Sequence, residues 1–208
     1  MAFNIKVPGI SNDYENSSEV PGVIATIKNK YGGIISNIAA LLNFEEAIIY
    51  GFIYVESKGK ENAVSGKSIG LMQINPQTAN TAIIRENLNR GLTPDEINYL
   101  QTYLGSRLKP LLAAKFTWQL PINGVTKNDL LEPEFNILVA SMYLKQLIFK
   151  TKEGNKIRLD RVIWLYNKGE FSKLPKGDIA NVYANAGDIT GKYIRTLLGE
   201  NGVLTQLT

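Results

Sequence analysis

Residues 43–77 constrain the fold most, because they combine a helical pattern with a polar turn and a glycine-led loop. Asn43 is predicted to cap a helix, with Glu46 as its partner in a capping box. Three apolar residues and one acid fall on the same helix face, at about 100° per residue: Ile49, Phe52, Ile53 and Glu56. The pattern therefore predicts a carboxyl group set in an apolar helix face, near the end of the helix.

This position predicts an unusual acid at Glu56. An ionised carboxylate on an apolar face is unfavourable, and the dipole at a helix C-terminus also disfavours negative charge. Both effects should raise the pKa of the Glu56 carboxyl and favour proton donation near neutral pH. A solvated glutamate at a fraying helix end explains the periodicity equally well, so the pattern alone does not choose between the two.

A second motif follows downstream. Glu56-Ser57 precedes Gly70-Leu71-Met72-Gln73, and the pair resembles the Glu-Ser and Gly-Leu-Met-Gln motifs of the soluble lytic transglycosylase and goose-type lysozyme superfamily. The spacing is that of the superfamily, and Ser65 lies where its members often have a substrate-contacting serine. Either motif alone is a weak signal, whereas the two together at this spacing are a strong one.

Less specific matches continue the resemblance toward the C-terminus. Asn136 lies in a Glu-Pro-x-x-Asn-Ile sequence, and Tyr166-Asn167 begins a Tyr-Asn-x-Gly sequence, both similar to segments of the superfamily. Tyr193 lies in a segment that resembles Glu-Thr-x-x-Tyr-Val, although Ile189 replaces the leading glutamate. The resemblance thus spans roughly residues 43–198 in ordered pieces.

The resemblance implies a mainly α, lysozyme-like α+β fold, with a single helical lobe around a glycan cleft and at most a small β-hairpin within residues 58–75. Helical patterns dominate the chain, with little of the alternation typical of strands. We predict an N-terminal arm and first helix over residues 1–30 and a lysozyme-like transglycosylase domain over residues 31–208. A helical insertion at residues 90–131 is expected to form one wall of the cleft.

Local signals set further boundaries. The sequence Tyr31-Gly32-Gly33 predicts a break between two short helices, and a capping box predicts a helix over residues 94–104. Residues 120–129 are predicted to be loop, and a long helix is expected to end near Phe149. Asp188 is predicted to cap a final helix that ends at Leu198.

Composition excludes several kinds of chemistry. The chain has no histidine and no cysteine, so it cannot carry a Ser-His-Asp or Cys-His catalytic site or a zinc site built on imidazole or thiolate. Acid–base chemistry must use Asp, Glu, Lys or Tyr, and we expect no metal and no cofactor. The net charge of +4 suits an anionic partner, and cell wall, nucleic acid and an anionic membrane surface all qualify, so charge alone does not choose between them. Scattered Lys and Arg disfavour nucleic acid as a partner.

The sequence also bears on location. No stretch approaches the ~20 apolar residues of a membrane span, so membrane insertion is not expected. The N-terminal residues lack the basic and apolar regions of a secretory signal peptide. We therefore expect a bacteriophage protein, in the virion or in the host cytoplasm before lysis, that acts on the cell wall. Other virion proteins are expected as further partners.

The resemblance implies a chemistry centred on Glu56. This residue would protonate the glycosidic oxygen between N-acetylmuramic acid and N-acetylglucosamine, then act as a base toward the C6 hydroxyl of the muramic acid. The product is a 1,6-anhydro sugar formed without water, with the 2-acetamido group assisting. Residues expected to contact the peptidoglycan strand are Ser57, Ser65, Gly70, Leu71, Met72, Gln73, Asn136, Tyr166, Asn167 and Tyr193.

For several of these residues a structural role is an alternative. Ser57 is expected to hold the turn after Glu56 or to cap the helix end, and Asn136 to bind substrate or stabilise a helix start. Met72 is expected to pack its thioether on a sugar face while its backbone meets the acetamido group. Tyr143 and Trp164 are predicted to be core residues.

Two other functions compete with the transglycosylase. A hydrolytic goose-type lysozyme would need a second carboxylate to position water. A catalytically idle wall-binding or virion structural module would keep the fold without the reaction. Other acids offer little support for hydrolysis, because Glu61 is expected to be solvated and Glu132 and Glu134 to cap a helix.

Overall fold

The computed structural model describes residues 2–3, 18–115, 123–154, 156–174, 189–199 and 202–207. The chain divides into two compact units. We call Thr26–Gln146 the core unit, and Met1–Ala25 together with Leu147–Thr208 the terminal unit.

The core unit is built from helices and one small hairpin. Its helices are α1 (Val20–Leu42), α2 (Glu46–Ser57), α3 (Pro76–Arg90), α4 (Pro94–Leu104), α5 (Leu108–Ala113), α6 (Lys127–Leu131) and α7 (Pro133–Thr151), where α1 begins and α7 ends in residues of the terminal unit. A 3₁₀ turn, Gly105–Arg107, joins α4 to α5. Strands β2 (Val64–Ser65) and β3 (Ser68–Ile69) pair antiparallel. This confirms the mainly helical fold with a small hairpin.

The terminal unit contains a short parallel strand pair and three further helices. Strand β1 (Ala2–Phe3) pairs with β4 (Lys156–Ile157). The helices are α8 (Leu159–Lys168), α9 (Ile189–Leu198) and α10 (Val203–Leu207). The end of α9 at Leu198 confirms the predicted boundary, whereas the strand pair and α10 were not predicted. The predicted cap Asp188 lies outside the described residues.

Helix α1 corrects the predicted break at Tyr31-Gly32-Gly33, because it continues from Val20 to Leu42. Its buried residues recur at helical spacing on both sides of the glycines: Ile27, Tyr31, Ile35 and Ile38. Each glycine disfavours the helix by about 1 kcal/mol, and burying one large apolar side chain favours folding by about 1.5–3 kcal/mol. Burial of the continuous apolar face therefore outweighs the two glycines.

Asn43 ends α1 instead of capping α2, so the predicted capping box is wrong. Its φ of 48° is left-handed, and its N–H bonds to Ala40 O at 3.2 Å while Phe44 N–H bonds to Ala39 O at 2.8 Å. These two bonds form a Schellman motif, in which asparagine can replace glycine. The N-cap of α2 is Glu45, which makes no side-chain capping bond.

Helix α6 replaces part of the loop predicted for residues 120–129. Thr126 and Asp129 form a capping box, with Asp129 N–H bonded to Thr126 Oγ1 at 3.3 Å and Thr126 N–H bonded to Asp129 Oδ2 at 2.7 Å. Arg107 also pairs with Asp129 at 2.6 Å. The loop prediction missed this start because aspartate takes the place of the usual glutamate. Residues 120–122 lie outside the described residues.

The helical insertion is held by a buried charge cluster. Arg90 bonds to Glu86 at 2.7 Å and donates from Nη1 to Glu96 at 3.0 Å. Glu96 is only 1% exposed, and it also accepts a bond from Thr93 N–H at 2.8 Å in the predicted capping box. Burial raises the pKa of the Glu96 carboxyl, but the bonds from Arg90 and Thr93 outweigh it, so this pKa lies below 4.5.

We expect Glu96→Gln to lower the free energy of unfolding at pH 7 by about 1.5–3 kcal/mol, the usual loss for a hydrogen bond to a charged group. A lowered folded-state pKa means that the contribution is complete above 4.5 and is lost as the pH falls through the folded-state value. Urea denaturation at pH 7 and at lower pH measures both effects. Asp95→Asn, an exposed neighbour in α4, should change little, and an equal loss in both variants would contradict the prediction.

Candidate active site

Glu56 lies one residue before the end of α2. Ile49, Phe52 and Ile53 on the same face are buried, and Glu56 itself is half-buried. The predicted arrangement of an acid on an apolar helix face is therefore confirmed. Glu56 therefore keeps part of its surface open to solvent at the end of a buried apolar face.

The turn after Glu56 is held by Ser57. Its hydroxyl donates to Ile53 O at 3.2 Å and accepts a bond from Gly59 N–H at 3.2 Å. Lys58 adopts a left-handed conformation with φ of 52°, and its N–H bonds to Tyr54 O at 3.1 Å. Ser57 is buried and shapes the helix end, which is one of the roles predicted for it.

Backbone hydrogen bonds then connect this turn to the glycine loop. Lys60 N–H bonds to Ser57 O at 3.1 Å, and Ala63 N–H bonds to Lys60 O at 3.2 Å. The carbonyl of Ala63 accepts two bonds from the second motif, from Gly70 N–H at 2.8 Å and from Gln73 Nε2 at 3.0 Å. A series of backbone hydrogen bonds therefore runs from Ser57 of the first motif to Gly70 of the second.

Gln73 is locked at the end of the glycine loop. Its φ of 47° is left-handed, and Nε2 also donates to Gly70 O at 2.8 Å. The donors of the amide are thus directed inward, onto the loop itself. No described residue donates a hydrogen bond to Oε1, and the glycan contact predicted for Gln73 stays a prediction.

Asn136 holds the same loop from α7. Its Oδ1 accepts a bond from Met72 N–H at 2.9 Å, and its Nδ2 donates to Ile69 O and Leu130 O, each at 2.9 Å. The side chain is 0% exposed. Its three bonds give Asn136 a structural role in supporting the loop, and the glycan contact predicted for it stays a prediction.

Leu71 and Met72 point into the protein. Both side chains are fully buried, and the Met72 N–H is bonded to Asn136. The glycan contacts predicted for Leu71 and Met72 stay predictions. The two residues anchor the loop by apolar burial, which explains why a run of this composition follows a glycine.

Gly70 is the point of closest approach between the loop and its support. Its φ is 78°, and a Cβ atom there would overlap Asn136 Nδ2 and the carbonyl oxygen of Leu130. Only glycine satisfies both conditions. Gly70 is buried, so the absence of a side chain allows the loop backbone to pack against its neighbours inside the protein.

Ser65 lies in the exposed hairpin. It pairs with Ser68 across β2 and β3, and its side chain is open to solvent. The hairpin is extended by a bridge between Ile69 and Ile74, which leads directly into the glycine loop. The predicted glycan contact of Ser65 is compatible with this placement.

Three predicted site residues belong to the terminal unit. Asn167 Oδ1, near the end of α8, accepts a bond from Thr190 Oγ1 on α9 at 3.1 Å. Tyr166 and Tyr193 are half-buried. Asn167 therefore holds two helices of its unit together, and the glycan contacts predicted for all three stay predictions. Trp164 is buried in the same unit, as predicted.

Other carboxylates of the core unit are engaged with neighbouring groups. Glu61, expected to be solvated, accepts a bond from Tyr31 Oη at 2.9 Å and pairs with Lys30 at 2.9 Å. Glu134, expected to cap α7, instead accepts bonds from the hydroxyls of Tyr99 and Tyr103. The bond to Glu134, together with burial, raises the pKa of Tyr99 to about 12. Neither contact gave a sequence signal, because the partners are 30 or more residues apart.

Comparison with known families matches part of the chain. Residues 34–102 match the family model of the transglycosylase SLT domain. The match includes Glu56 and residues 70–73, so the resemblance to lytic transglycosylases is confirmed for this part of the chain. Asn136, Tyr166 and Tyr193 lie outside the matched residues. No curated protein sequence matches the chain.

Two further findings concern metal binding and membrane insertion. Within the described ranges, no group of three or more acidic side chains is arranged to hold a metal ion. In the same part of the chain, no helix is long and apolar enough to cross a membrane.

Gly70→Ala and Gly66→Ala form a matched pair. Both glycines have positive φ, 78° and 60°, but a Cβ on Gly66 would meet open space. We expect Gly66→Ala to destabilise the fold by about 1–2 kcal/mol through backbone strain alone. Gly70→Ala should lose a further 1–3 kcal/mol or so through overlap with Asn136 and Leu130. Urea denaturation measures the difference, and equal losses would argue against a tightly supported loop.

Proposed function

We propose that this chain is a peptidoglycan lytic transglycosylase that cleaves the bond between N-acetylmuramic acid and N-acetylglucosamine with Glu56 as its one catalytic carboxyl. The SLT match supports transglycosylase activity on peptidoglycan in general. The observation that carries the residue assignment is the placement of Glu56: it is half-buried, lies on an apolar face, and directly precedes the turn whose backbone bonds lead to the glycine loop.

The proposed reaction begins with proton transfer. The Glu56 carboxyl gives its proton to the glycosidic oxygen as the bond from that oxygen to C1 of the muramic acid breaks. The 2-acetamido carbonyl oxygen of the same sugar bonds to C1 and takes up the developing positive charge, so the protein needs no nucleophile of its own. The leaving N-acetylglucosamine carries the transferred proton.

Glu56 then acts as a base. Its carboxylate accepts the proton of the C6 hydroxyl, O6 attacks C1, and the bond from C1 to the acetamido oxygen breaks. The carboxyl is restored and the muramic acid ends as a 1,6-anhydro sugar. No water is consumed, because the attacking oxygen belongs to the substrate.

The remaining acids of the core unit favour this route over hydrolysis. A hydrolase needs a second carboxylate that is free to act as a base or nucleophile. Five acids are engaged by cationic or phenolic groups: Glu61, Glu86, Glu96, Asp129 and Glu134. Four others are exposed near helix starts: Glu45, Glu46, Asp95 and Glu132. None of these positions suggests a partner for Glu56.

The setting of the reaction is a separate proposal. Action on the wall from a bacteriophage virion, or from the host cytoplasm at lysis, agrees with the net charge of +4, which suits an anionic polymer. A hydrolytic lysozyme and a catalytically idle wall-binding module are the alternatives that the following experiments exclude or establish.

Glu56→Gln should abolish lysis while the protein stays folded. The amide keeps the size of the side chain but has no transferable proton, and general acid catalysis typically contributes ~10²–10⁴-fold. Turbidity loss of purified sacculi measures the rate, and circular dichroism reports the fold. Glu46→Gln, at the exposed start of the same helix, is the matched control and should clear sacculi normally. Near-normal lysis by Glu56→Gln would overturn the assignment.

The products distinguish the two glycan-cleaving functions. Intramolecular capture by O6 should yield muramic acid ends about 18 Da lighter than hydrated ends, by the loss of one water. Mass spectrometry of muropeptides released from purified sacculi measures this directly. Predominantly reducing muramic acid ends would establish the lysozyme alternative, and release of neither product would favour the idle module.

A further inference from the structure

Helix α1 contacts the turn that follows Glu56 through three residues on one face: Ile27, Lys30 and Tyr31. Tyr31 Oη lies 2.9 Å from Glu61 Oε2 and 3.3 Å from Gly59 O, so one hydroxyl reaches both a side chain and the backbone of the turn. Lys30 Nζ lies 2.9 Å from the same oxygen of Glu61.

The backbone of the turn packs directly on this face. Gly59 has a φ of 80°, and a Cβ atom there would lie 2.9 Å from Ile27 Cγ1, too close for a real side chain. Lys58, immediately before it, is also left-handed. Two successive left-handed residues make a sharp turn, and α1 packs against this turn.

Tyr31 is the stronger of the two polar contacts. Its side chain is 3% exposed, and burial raises its pKa, so the hydroxyl remains a donor. The side chain of Lys30 is 54% exposed, and an ion pair at that exposure contributes little. The bonds from Lys30 and Tyr31 hold the pKa of Glu61 below its ordinary value, so the acceptor is ionised at neutral pH.

We propose that Tyr31 is a positioning residue for Glu56, acting through Gly59 and Glu61, so that α1 forms part of the catalytic apparatus. This inference rests on the proposed function. Glu56 lies three residues before Gly59, and Gly59 N–H bonds at 3.2 Å to the Oγ of Ser57, the residue that follows Glu56. The contacts with α1 therefore fix the position of the turn. Since the turn follows α2 directly, they also fix the position of the end of α2.

Small displacements at this point matter because a general acid must lie within hydrogen-bond reach of the oxygen that it protonates. A misplacement of about 1 Å can lower the rate by about 10²-fold. Residues expected to bind the glycan, such as Ser65 and Gln73, are held by other contacts. Loss of the Tyr31 hydroxyl should therefore affect turnover more than binding.

The test is Tyr31→Phe, assayed on a soluble peptidoglycan tetrasaccharide with kcat and KM measured separately. We expect kcat to fall at least tenfold, with KM changed less than twofold and the protein folded at the assay temperature by circular dichroism. Tyr50→Phe is the matched control, because Tyr50 is 5% exposed and makes no hydrogen bond to the turn among the described residues. Its kcat should be unchanged.

Glu61 variants provide a second measurement. Glu61→Gln keeps an oxygen acceptor for Tyr31 and should retain most of the activity, whereas Glu61→Ala should resemble Tyr31→Phe. In the Tyr31→Phe background, Glu61→Ala should add less than threefold, because the two residues form one contact.

The outcomes separate this inference from the proposed function. Unchanged kcat in Tyr31→Phe while Glu56→Gln is inactive overturns the positioning role alone. Equal loss of kcat in Tyr31→Phe and Tyr50→Phe, or loss that tracks unfolding, also overturns it. Full activity of Glu56→Gln removes the proposed function itself, whatever Tyr31→Phe does.

Discussion

The buried amide of Asn136 is the interaction on which the glycine loop depends. One side chain satisfies the N–H of Met72 and the carbonyls of Ile69 and Leu130 in a region without solvent. Unpaired, each of these groups would be unfavourable by about 1–3 kcal/mol. The loop has little regular structure to satisfy its own backbone, so it needs a donor and an acceptor supplied by a rigid element. Helix α7 supplies both from a single position.

A second set of hydrogen bonds holds the glycine loop, and these bonds come from the turn that follows Glu56. The Ala63 carbonyl receives Gly70 N–H and the Gln73 amide, and the turn that leads to it begins at Ser57. Glu56 and the glycine loop are thus ordered by one continuous set of backbone bonds. The role proposed for Glu56 requires a proton donor in fixed geometry, and these bonds hold the residues that follow it.

The sequence predicted what depends on local pattern. The apolar face that carries Glu56 and the capping box at Thr93 follow from spacing within one element, whereas the hairpin before Gly70 followed from the resemblance. The sequence did not reveal contacts between residues far apart in the chain. The hydrogen bonds of Asn136 are an example, because they reach residues 64 and 67 positions away. Asn43 shows a further limit, because the same asparagine can start one helix or end the one before it. In this protein Asn43 ends α1, because the apolar face of that helix is buried up to its last residue.

The contact between Gly70 and Asn136 also restricts how this site can evolve. A side chain at position 70 would occupy the space of the Asn136 amide, and a larger residue at position 136 would press on the loop. Loss of the amide would in turn leave Met72 and Ile69 unsatisfied. The two positions are therefore epistatic: neither can change first without a loss of stability. Adaptation to a different glycan should accumulate instead at the exposed hairpin around Ser65, where the structure tolerates variation.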